Sequence, residues 1–445
     1  MANTQLTKSV QKNAGNDAIT KMTYSVWIKR SALGEADIFA AHQLSSYYTD
    51  FYFDSNDRLN LYSYINSSEA AWVQTNRRFK DTNAWYHLVF AVDTTQGTAA
   101  NRVKFYVNGT QETSMNSTVY PSQNSAFGQS SDTGATLYIG NNPNRTAFSG
   151  SMSHIHYTPY TTYDASPFGS TDATTGEWKI NTAPSVTYST AGFFILKNDN
   201  SVTDQSPNTN NFTVGAGTLT KTEDCPSNVF CTFNYYFGSG NQSSINSIGG
   251  KGGTQFSSGS TSSEVFVVGN MAITSGKYYW EWKAISEHPE ANFWGVADID
   301  QINGIGNGSI TLNNKSYVWG GSQGNKFNGG SGGSYGSQID INNIGMVAVD
   351  MDNNKIWLGE NGTWFASGNP ATGANPMYSN LSGTITPFHA DDYSTYTPTA
   401  YYNFGNGYFG TTAVSSAGTN ASNLGIFEYD VPSGYTALCT KGLNE

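Results

Sequence analysis

The segment from residue 347 to residue 365 constrains the fold of this chain more than any other. Apolar side chains alternate with small or polar ones over residues 347–351 and again over residues 355–359. Alternation with a period of two predicts β-strands. An Asp-Asn-Asn run between them tolerates the left-handed backbone angles of a tight turn. The segment therefore predicts a hairpin without catalytic groups, in a β-sandwich that binds a ligand or a partner.

The composition favours the same class of fold along the whole chain. Of the 445 residues, 14% are aromatic and only 12% are charged, and 47 are glycine. Aromatic residues fit a pleated sheet surface, whereas glycine fills turns. Rings combined with amide side chains are also typical of surfaces that bind sugars or proteins. We therefore predict an all-β protein with a recognition function.

Charge, apolar runs and cysteines narrow the class of partner. The formal net charge of −11 argues against nucleic acid, which requires a basic surface. No segment approaches the roughly 18 apolar residues of a membrane-spanning helix, so we expect no membrane insertion. Cys225, Cys231 and Cys439 are too few for a disulfide framework. Cys225 and Cys231 are close enough in sequence to pair, but we expect reduced thiols, as in a cytoplasm.

Turn signals divide the chain into four regions. Short strands at regular spacing predict one sandwich over residues 1–160 and a second over residues 263–412. Residues 161–262 are rich in turns and end in a Gly/Ser-rich stretch, which predicts an extended connector with a flexible linker. Residues 413–445 form a C-terminal segment. The predicted architecture is two β-sandwiches joined by an extended connector.

Several of the predicted strands resemble those of known families. The strands of laminin G-like, concanavalin-like jelly rolls are similar to four segments of this chain: residues 24–30, 85–90, 103–109 and 149–155. The hairpin, together with residues 276–281 and 293–296, resembles a SPRY domain. The resemblance implies a concanavalin-like jelly roll in the first half of the chain and a SPRY-like sandwich in the second.

Segments outside the sandwiches resemble structural proteins of tailed bacteriophages, particularly marine ones. These segments are residues 168–178, 204–212 and 431–439. The resemblance implies a virion protein made in the host cytoplasm: a fibre, a spike or a capsid-surface appendage. Its partners would be other virion proteins and a host-surface glycan or protein, and a homo-oligomer such as a trimer would be expected. A purely structural decoration or connector protein of the virion is the alternative.

An enzymatic function needs groups that the sequence does not supply. A glycosidase holds two carboxylates across a cleft, and Glu281 and Glu287 are the nearest acidic neighbours on a predicted strand. On an extended chain their spacing corresponds to about 20 Å, so we interpret both as surface carboxylates. No Gly-x-Ser-x-Gly elbow precedes a helix. We therefore predict a non-enzyme, with a polysaccharide-degrading enzyme as the weaker alternative.

Two motifs that suggest a bound metal fail on their spacing. The acidic run from Asp350 resembles the start of a calcium loop, but Lys355 stands where that loop needs glycine and Asn361 where it needs glutamate. His154 and His156 share one face of a strand, as a zinc pair would. No third ligand accompanies them in the sequence, which favours packing over metal binding.

Two pairs of acidic residues are compatible with one cofactor, a calcium ion. A calcium ion can be held by carboxylates from separate loops of a jelly roll. Asp54 with Asp57, and Asp391 with Asp392, are the pairs that would serve. No other cofactor is predicted.

Candidate binding residues combine an aromatic ring with nearby polar groups. A ring stacks on the C–H face of a sugar, while amides and carboxylates bind its hydroxyls. Each ring also fits a place in a core or in a subunit interface. The candidates, assigned to loops, are Tyr47, Tyr48 and Asp50; Trp72 and Asn76, with Gln74; Trp319 and Asn325, with Gln323; and Asp391, Asp392 and Tyr393.

Overall fold

The computed structural model describes residues 4–9, 18–126, 135–197, 201–234, 245–248, 253–258, 265–286, 292–301, 315–320, 324–391 and 398–444. The chain divides into two compact units, Met1–Lys221 and Thr222–Glu445. Strands joined by turns and short 3₁₀ segments make up both units, so the predicted all-β fold is confirmed. A helix with the length and apolarity of a membrane span does not occur in the described part of the chain.

The first unit contains two large sheets. Its strands are β1 (Gln5–Ser9), β2 (Lys21–Arg30), β3 (Ala36–Leu44), β4 (Tyr47–Phe53), β5 (Arg58–Ile65), β6 (Ser68–Arg78), β7 (Trp85–Asp93), β8 (Val103–Val107), β9 (Thr110–Glu112), β10 (Met115–Val119), β11 (Thr136–Ile139), β12 (Gly150–Pro159), β13 (Gly169–Thr171), β14 (Trp178–Ile180), β15 (Phe193–Ile195) and β16 (Thr213–Ala216), with 3₁₀ segments at Ala99–Asn101 and Ser166–Phe168. One sheet has eight strands in the order β10-β6-β5-β4-β3-β11-β1-β16. The other has six, in the order β15-β12-β2-β7-β8-β9, and β13 and β14 form a two-stranded sheet.

The core of the first unit lies between the two large sheets, because apolar residues occupy alternate strand positions. Phe51 of β4 stacks on Phe90 of β7 with ring centroids 4.2 Å apart. Tyr24 of β2 stacks on Phe39 of β3 at 4.3 Å. All four side chains are buried, and each contributes roughly 2–3 kcal/mol by leaving water.

Residues from the predicted connector cover the outer side of the six-stranded sheet. Trp178 of β14 lies against His87 of β7, with ring centroids 6.0 Å apart. Phe168 packs against His156 of β12, with ring centroids 5.2 Å apart. The boundary between the units, after Lys221, falls inside the predicted connector, whose first part packs on the first sandwich.

The second unit also contains two large sheets. Its strands are β17 (Phe233–Asn234), β18 (Ile245–Ile248), β19 (Gln255–Ser258), β20 (Val265–Gly269), β21 (Lys277–Ser286), β22 (Asn292–Asp298), β23 (Ser316–Gly320), β24 (Asn325–Asn328), β25 (Ser331–Ser334), β26 (Ile344–Asp350), β27 (Lys355–Glu360), β28 (Thr363–Trp364), β29 (Ile385–Asp391), β30 (Thr399–Asn403), β31 (Tyr408–Phe409), β32 (Thr412–Ala413) and β33 (Thr436–Ala437), with 3₁₀ segments at Phe365–Ser367 and Gly442–Asn444. One sheet has the order β17-β20-β29-β22-β23-β24-β25. The other has the order β18-β19-β30-β21-β26-β27-β28, and β33 pairs parallel to β21.

Part of the Gly/Ser-rich stretch that predicted a flexible linker forms strands instead. β19 pairs with β30 and with β18, and the side chain of Phe256 is fully buried. The composition did not indicate these strands because the hydrogen bonds of a sheet are made by the backbone and require no particular side chain.

The hairpin near residue 350 has the predicted form. Val347 and Val349 of β26 lie opposite Leu358 and Ile356 of β27. These four side chains are buried in the core between the sheets. Asn354 ends the turn with a φ of 57°, in the left-handed region that the turn sequence predicted.

The C-terminal segment covers the other side of this hairpin. Ala348 and Trp357 alternate with the core residues and therefore point away from the core. They pack in a separate apolar cluster with Phe427, Val431 and Tyr435 of the C-terminal segment. In the second unit, as in the first, an extended segment thus shields the outer side of one sheet.

Candidate binding site

One side of the eight-stranded sheet in the first unit gathers side chains from five strands. The register places Tyr138 opposite Ala40, Ala40 opposite Asp50, Asp50 opposite Tyr62, and Tyr62 opposite Trp72. Residues that face each other across neighbouring strands point to the same side of a sheet. The residues between them in sequence are buried in the core, so this row lies on the outer side.

Five half-buried rings on this outer side form what we call the tyrosine face: Tyr48, Tyr62, Tyr64, Trp72 and Tyr138. The ring of Tyr48 lies 5.5 Å from that of Tyr64 and 6.1 Å from that of Tyr62. Tyr62 and Tyr64 stack with centroids 6.4 Å apart. The hydroxyls of the four tyrosines make no hydrogen bond to any described residue. They are therefore available to a ligand.

Burial keeps the hydroxyl groups of Tyr48 and Tyr62 protonated. It raises the pKa of Tyr48, with smaller contributions from Tyr62 and Asp50. Burial also raises the pKa of Tyr62. It raises the pKa of Tyr52, which lies beneath Arg145, to about 12. At neutral pH Tyr48 and Tyr62 therefore present uncharged O–H groups that can both donate and accept hydrogen bonds.

A buried carboxylate organises the centre of the tyrosine face. Asp50 has no exposed surface and accepts a 2.6 Å hydrogen bond from Nε2 of His42 and a 3.1 Å bond from Nε of Arg145. The guanidinium of Arg145 lies 3.7 Å above the ring of Tyr52. Burial opposes its charge, but Tyr52, Asp50 and Glu35 outweigh that effect and raise the pKa of Arg145. The arginine therefore stays charged and fixed in position.

A chain of amides supports the Trp72 end of the face. The indole N–H of Trp72 donates to Oδ1 of Asn60 at 3.0 Å, and the amide of Gln74 donates to the same oxygen at 2.8 Å. Gln74 also donates to Asp54 at 2.9 Å and accepts from Asn116. Because its N–H is engaged within the sheet, Trp72 offers its ring surface and not its polar edge.

Three of the predicted binding residues meet on this face, but they lie in strands and not in loops. Tyr48 and Asp50 belong to β4, and Trp72 belongs to β6. Tyr47 precedes Tyr48 on β4 and therefore points to the opposite side of the sheet. Asn76 lies at the far end of β6, where its amide donates to Ser114 and to the Met115 carbonyl. It fastens β10 to β6 and is not free for a ligand.

The predicted binding residues of the second unit do not form a surface site. Trp319 lies in β23 with 1% of its surface exposed, and its indole donates to the carbonyl of Gly324 at 3.0 Å. Asn325 begins β24 and is half-buried. Assigning these two residues to a binding loop was wrong, because alternation turns the Trp319 ring into the core. Asp391 is fully buried in β29 and accepts a 2.5 Å bond from Ser258. Asp392, Tyr393 and Gln323 lie outside the described residues.

Asp54 and Asp57, one of the two acidic pairs considered as calcium ligands, bind other groups of the protein instead. Asp57 forms a 3.0 Å ion pair with Arg30 and accepts from the N–H of Gly34. Asp54 accepts from the backbone N–H groups of Asn56 and Arg58 in the β4–β5 turn. Within the described ranges, no group of three or more His, Cys, Asp or Glu residues is arranged to hold a metal ion.

The two histidines of β12 bond to neighbouring side chains, and two of the three cysteines are buried. His154 bonds to Ser153 at 2.7 Å, and His156 bonds to the Tyr188 hydroxyl at 2.6 Å. Burial lowers the pKa of His154 to about 4 and holds that of His156 well below its usual range. Both imidazoles are therefore neutral packing groups. No disulfide links the three cysteines; Cys231 and Cys439 are buried and Cys225 is half-buried.

Glu281 is not the surface carboxylate that its sequence context suggested. It has no exposed surface and accepts hydrogen bonds from the Tyr279 hydroxyl, the Asn403 amide and the backbone N–H groups of Glu428 and Tyr429. Burial outweighs these bonds and raises the pKa of Glu281 to about 7. The carboxyl group anchors the C-terminal segment. Glu287 lies outside the described residues.

Sequence reasoning missed Tyr62, Tyr64, Tyr138 and Arg145. A signal for two of them was present, because Tyr62 and Tyr64 alternate with Leu61 and Ser63 along β5 and so had to share the face opposite the core. Arg145 carried no such signal. It reaches Asp50 from a loop 95 positions further along the chain, and only the folded sheet brings the two together.

The comparisons with known proteins agree with the predicted classes of fold. Residues 4–162 match the laminin G family model that is described as the concanavalin A-like lectin/glucanases superfamily. The first sandwich is therefore a concanavalin-like jelly roll, as the resemblance implied. No curated protein matches the chain in sequence.

Solved structures similar to parts of the chain come from several classes of protein. The SPRY domain of human HERC1 is 14% identical, covering 38% of this chain and 96% of that one with a TM-score of 0.31. A native heptameric SAP-like pentraxin from Limulus polyphemus is 17% identical, covering 48% and 87% with a TM-score of 0.31. Domain 4 of AbnA, an extracellular arabinanase from Geobacillus stearothermophilus solved with arabinotriose, is 18% identical, covering 34% and 65% with a TM-score of 0.25. Likeness at this level carries no information on ligand or activity.

Proposed function

We propose that this chain is a non-enzymatic bacteriophage virion protein that attaches to a host-surface glycan through the tyrosine face of its first sandwich. The observation that carries the proposal is the open outer side of the eight-stranded sheet. Its four tyrosine hydroxyls make no hydrogen bond to the described residues. The outer side of the six-stranded sheet, in contrast, is covered by Phe168 and Trp178.

The chemistry of the face suits a sugar. The rings of Tyr48, Tyr62 and Tyr64 lie 5.5–6.4 Å from one another, and together they offer apolar surface to the C–H groups of a sugar ring. Their hydroxyls can donate to and accept from the sugar hydroxyls. The fixed hydrogen bonds of Asp50 and Trp72 hold the strands beneath in one arrangement, which reduces the entropy lost on binding.

The carboxylates near the face support binding over catalysis. A glycosidase needs one carboxyl group that delivers a proton to the sugar and a second one across the cleft. Asp50 is buried beneath His42 and Arg145, and Asp54 is engaged by backbone N–H groups and Gln74. The raised pKa of Glu281 would suit a general acid, but this group is enclosed beneath the C-terminal segment of the other unit.

The virion setting rests on the resemblance of residues 168–178, 204–212 and 431–439 to tailed-phage structural proteins. In this proposal the chain is made in the host cytoplasm and assembles with other virion proteins into a fibre, spike or capsid-surface appendage. A homo-oligomer such as a trimer would present several tyrosine faces to one host surface. Multivalent display would compensate for weak binding at each face.

Glycan-array and host-cell binding by the purified protein test the proposal, with Tyr48→Ala as the main variant. Tyr48→Ala removes a ring from the centre of the face, and we expect it to weaken binding about tenfold. The matched control is Tyr47→Ala, because Tyr47 is also half-buried but points to the other side of the same strand. Equal losses in the two variants, or no glycan binding by the wild type, would contradict the proposal.

A purely structural role in the virion is the second candidate, and the edge of the same sheet favours it. All four residues of β16 are exposed, and β1 is the one strand with which β16 pairs among the described residues. An open sheet edge can take up a strand from another chain. Assembly of the protein onto purified particles, combined with an absence of glycan and host-cell binding, would favour this role.

A further inference from the structure

Arg145 is the cationic group at the centre of the tyrosine face, and two carboxylates hold it. Its Nε donates to Asp50 at 3.1 Å, and its Nη1 lies 3.5 Å from Glu35. The guanidinium is centred 3.7 Å above the ring of Tyr52 and 5.8 Å from that of Tyr62. About 17% of the arginine side chain is exposed, so a ligand on the face can approach it.

The carboxylates around Arg145 outweigh its positive charge. Asp50 and Glu35 carry two negative charges against one positive charge, and His42 adds an N–H donor to Asp50. Burial, helped by the charge of Asp50, raises the pKa of Asp37 well above its usual range and favours its neutral form. A third carboxylate brought to this cluster by a ligand would therefore meet net repulsion.

Glu35 differs from Asp50 in its accessibility. Asp50 is fully buried beneath the face, whereas 34% of the Glu35 side chain is exposed. One oxygen of Glu35 accepts from the backbone N–H and the hydroxyl of Thr146, each at 3.1 Å. Replacement by glutamine keeps an oxygen for Thr146 and removes the negative charge that faces Arg145.

We propose that Glu35 is a specificity-determining residue that restricts the tyrosine face to neutral glycans by cancelling the charge of Arg145. The inference rests on the proposed glycan binding of this face. Arg145 then serves a neutral sugar as a fixed N–H donor. It does not act as a trap for anions, although an arginine among aromatic rings would otherwise suit the carboxylate of a uronic acid.

The test compares the binding of two oligosaccharides that differ by one carboxylate: a neutral chain bound by the wild type, and the same chain with one residue oxidised to a uronic acid. We expect the wild type to prefer the neutral chain. In Glu35→Gln the ratio of affinities should shift towards the acidic chain by roughly three- to tenfold, and the shift should shrink in high salt. The matched control is Glu112→Gln, which removes the same charge from β9 in the other sheet.

Three results would overturn the inference. One is a wild type that binds the acidic chain as tightly as the neutral one. Another is an unchanged ratio in Glu35→Gln when its thermal melting shows that the variant is folded. A third is an equal shift in Glu112→Gln, which would assign the effect to net charge. A wild type that binds neither chain would instead remove the proposed glycan binding, and the inference with it.

Discussion

The indole N–H of Trp178 donates a 3.0 Å hydrogen bond to Nδ1 of His87, a side chain without exposed surface. Because Nδ1 accepts this bond, the proton of the neutral imidazole is on Nε2, which lies 2.9 Å from the Ser25 hydroxyl. Trp178 belongs to the segment between β12 and β15. One hydrogen bond thus ties the covering segment to the centre of the six-stranded sheet.

Trp178→Phe should destabilise the first unit. The change leaves Nδ1 of His87 buried without a donor, which costs about 1–3 kcal/mol in addition to the lost packing. Urea unfolding measured by circular dichroism gives the free energy. The matched control is Trp364→Phe, since Trp364 is also half-buried but its indole makes no hydrogen bond to the described residues. A loss no larger than that of the control would show that the bond contributes nothing.

Acid should destabilise the first unit through its buried histidines. Burial lowers the pKa of His87 to about 3 and that of His154 to about 4, from about 6.5 in an unfolded chain. The unfolded state therefore binds protons first as the pH falls below 6.5. For His87 the loss is roughly 2–3 kcal/mol by pH 4.5. Urea unfolding at a series of pH values measures this dependence, and His87→Gln should reduce its slope. An unchanged slope would mean that His87 is not neutral in the folded protein.

Glu281→Gln should loosen the C-terminal segment. A glutamine would place an N–H₂ group where a carboxylate oxygen of Glu281 now accepts hydrogen bonds. The donors of these bonds include the backbone N–H groups of Glu428 and Tyr429. The mismatch should cost about 1–3 kcal/mol. Amide hydrogen exchange of residues 426–431 should quicken, whereas Glu360→Gln, at the half-buried end of β27, should leave it unchanged. Unaltered protection in Glu281→Gln would rule out the anchoring role.

Glu281 should also give the second unit a pH dependence opposite to that of the histidines. Its pKa is raised in the folded protein from 4.5 to about 7, so the folded state holds the proton more tightly. The stability that it contributes is complete below pH 4.5 and is lost as the pH rises through 7, by roughly 3 kcal/mol in total. Comparing wild type with Glu281→Gln between pH 4.5 and pH 8 isolates this contribution. A constant difference in free energy across that range would contradict the raised pKa.

Gly362→Ala should destabilise the hairpin that follows β27. Gly362 has a φ of 83°, and an added Cβ would lie 3.0 Å from the ring of Tyr429. The strained backbone alone should cost about 1 kcal/mol or more. Gly97→Ala is the control, because a Cβ there meets nothing within 4 Å. Thermal melting of both variants provides the measurement, and equal melting temperatures would refute the argument.

The sequence predicted the strands well where large apolar residues alternate along one side of a strand. The hairpin of β26 and β27 is an example, since Val347, Val349, Ile356 and Leu358 alternate and are all buried. β6 is a counter-example, because its polar side chains made it look like a loop although Ala71 and Val73 reach the core. A strand with one polar outer side and small inner residues gives only a weak periodic signal.

The candidate site could be predicted only in part. Tyr48, Asp50 and Trp72 were recognised from their residue types, and they do meet on one face. Trp319 was recognised in the same way and is enclosed in the core. Residue type indicates that a ring can bind a sugar, but exposure depends on which side of the sheet the strand register assigns to that ring.

The sequence by itself determined the class of fold and the hairpin, because both follow from local alternation and turn residues. The jelly roll of the first half was implied by the resemblance of its strands to laminin G-like domains. Only the tertiary structure decided that Asp50 meets Arg145 from 95 positions away, and that Glu281 is an enclosed anchor for the C-terminal segment. Both depend on contacts between distant segments, and no local pattern encodes such a contact. The hairpin accordingly has one side in the core and the other beneath a segment that begins more than 60 residues later.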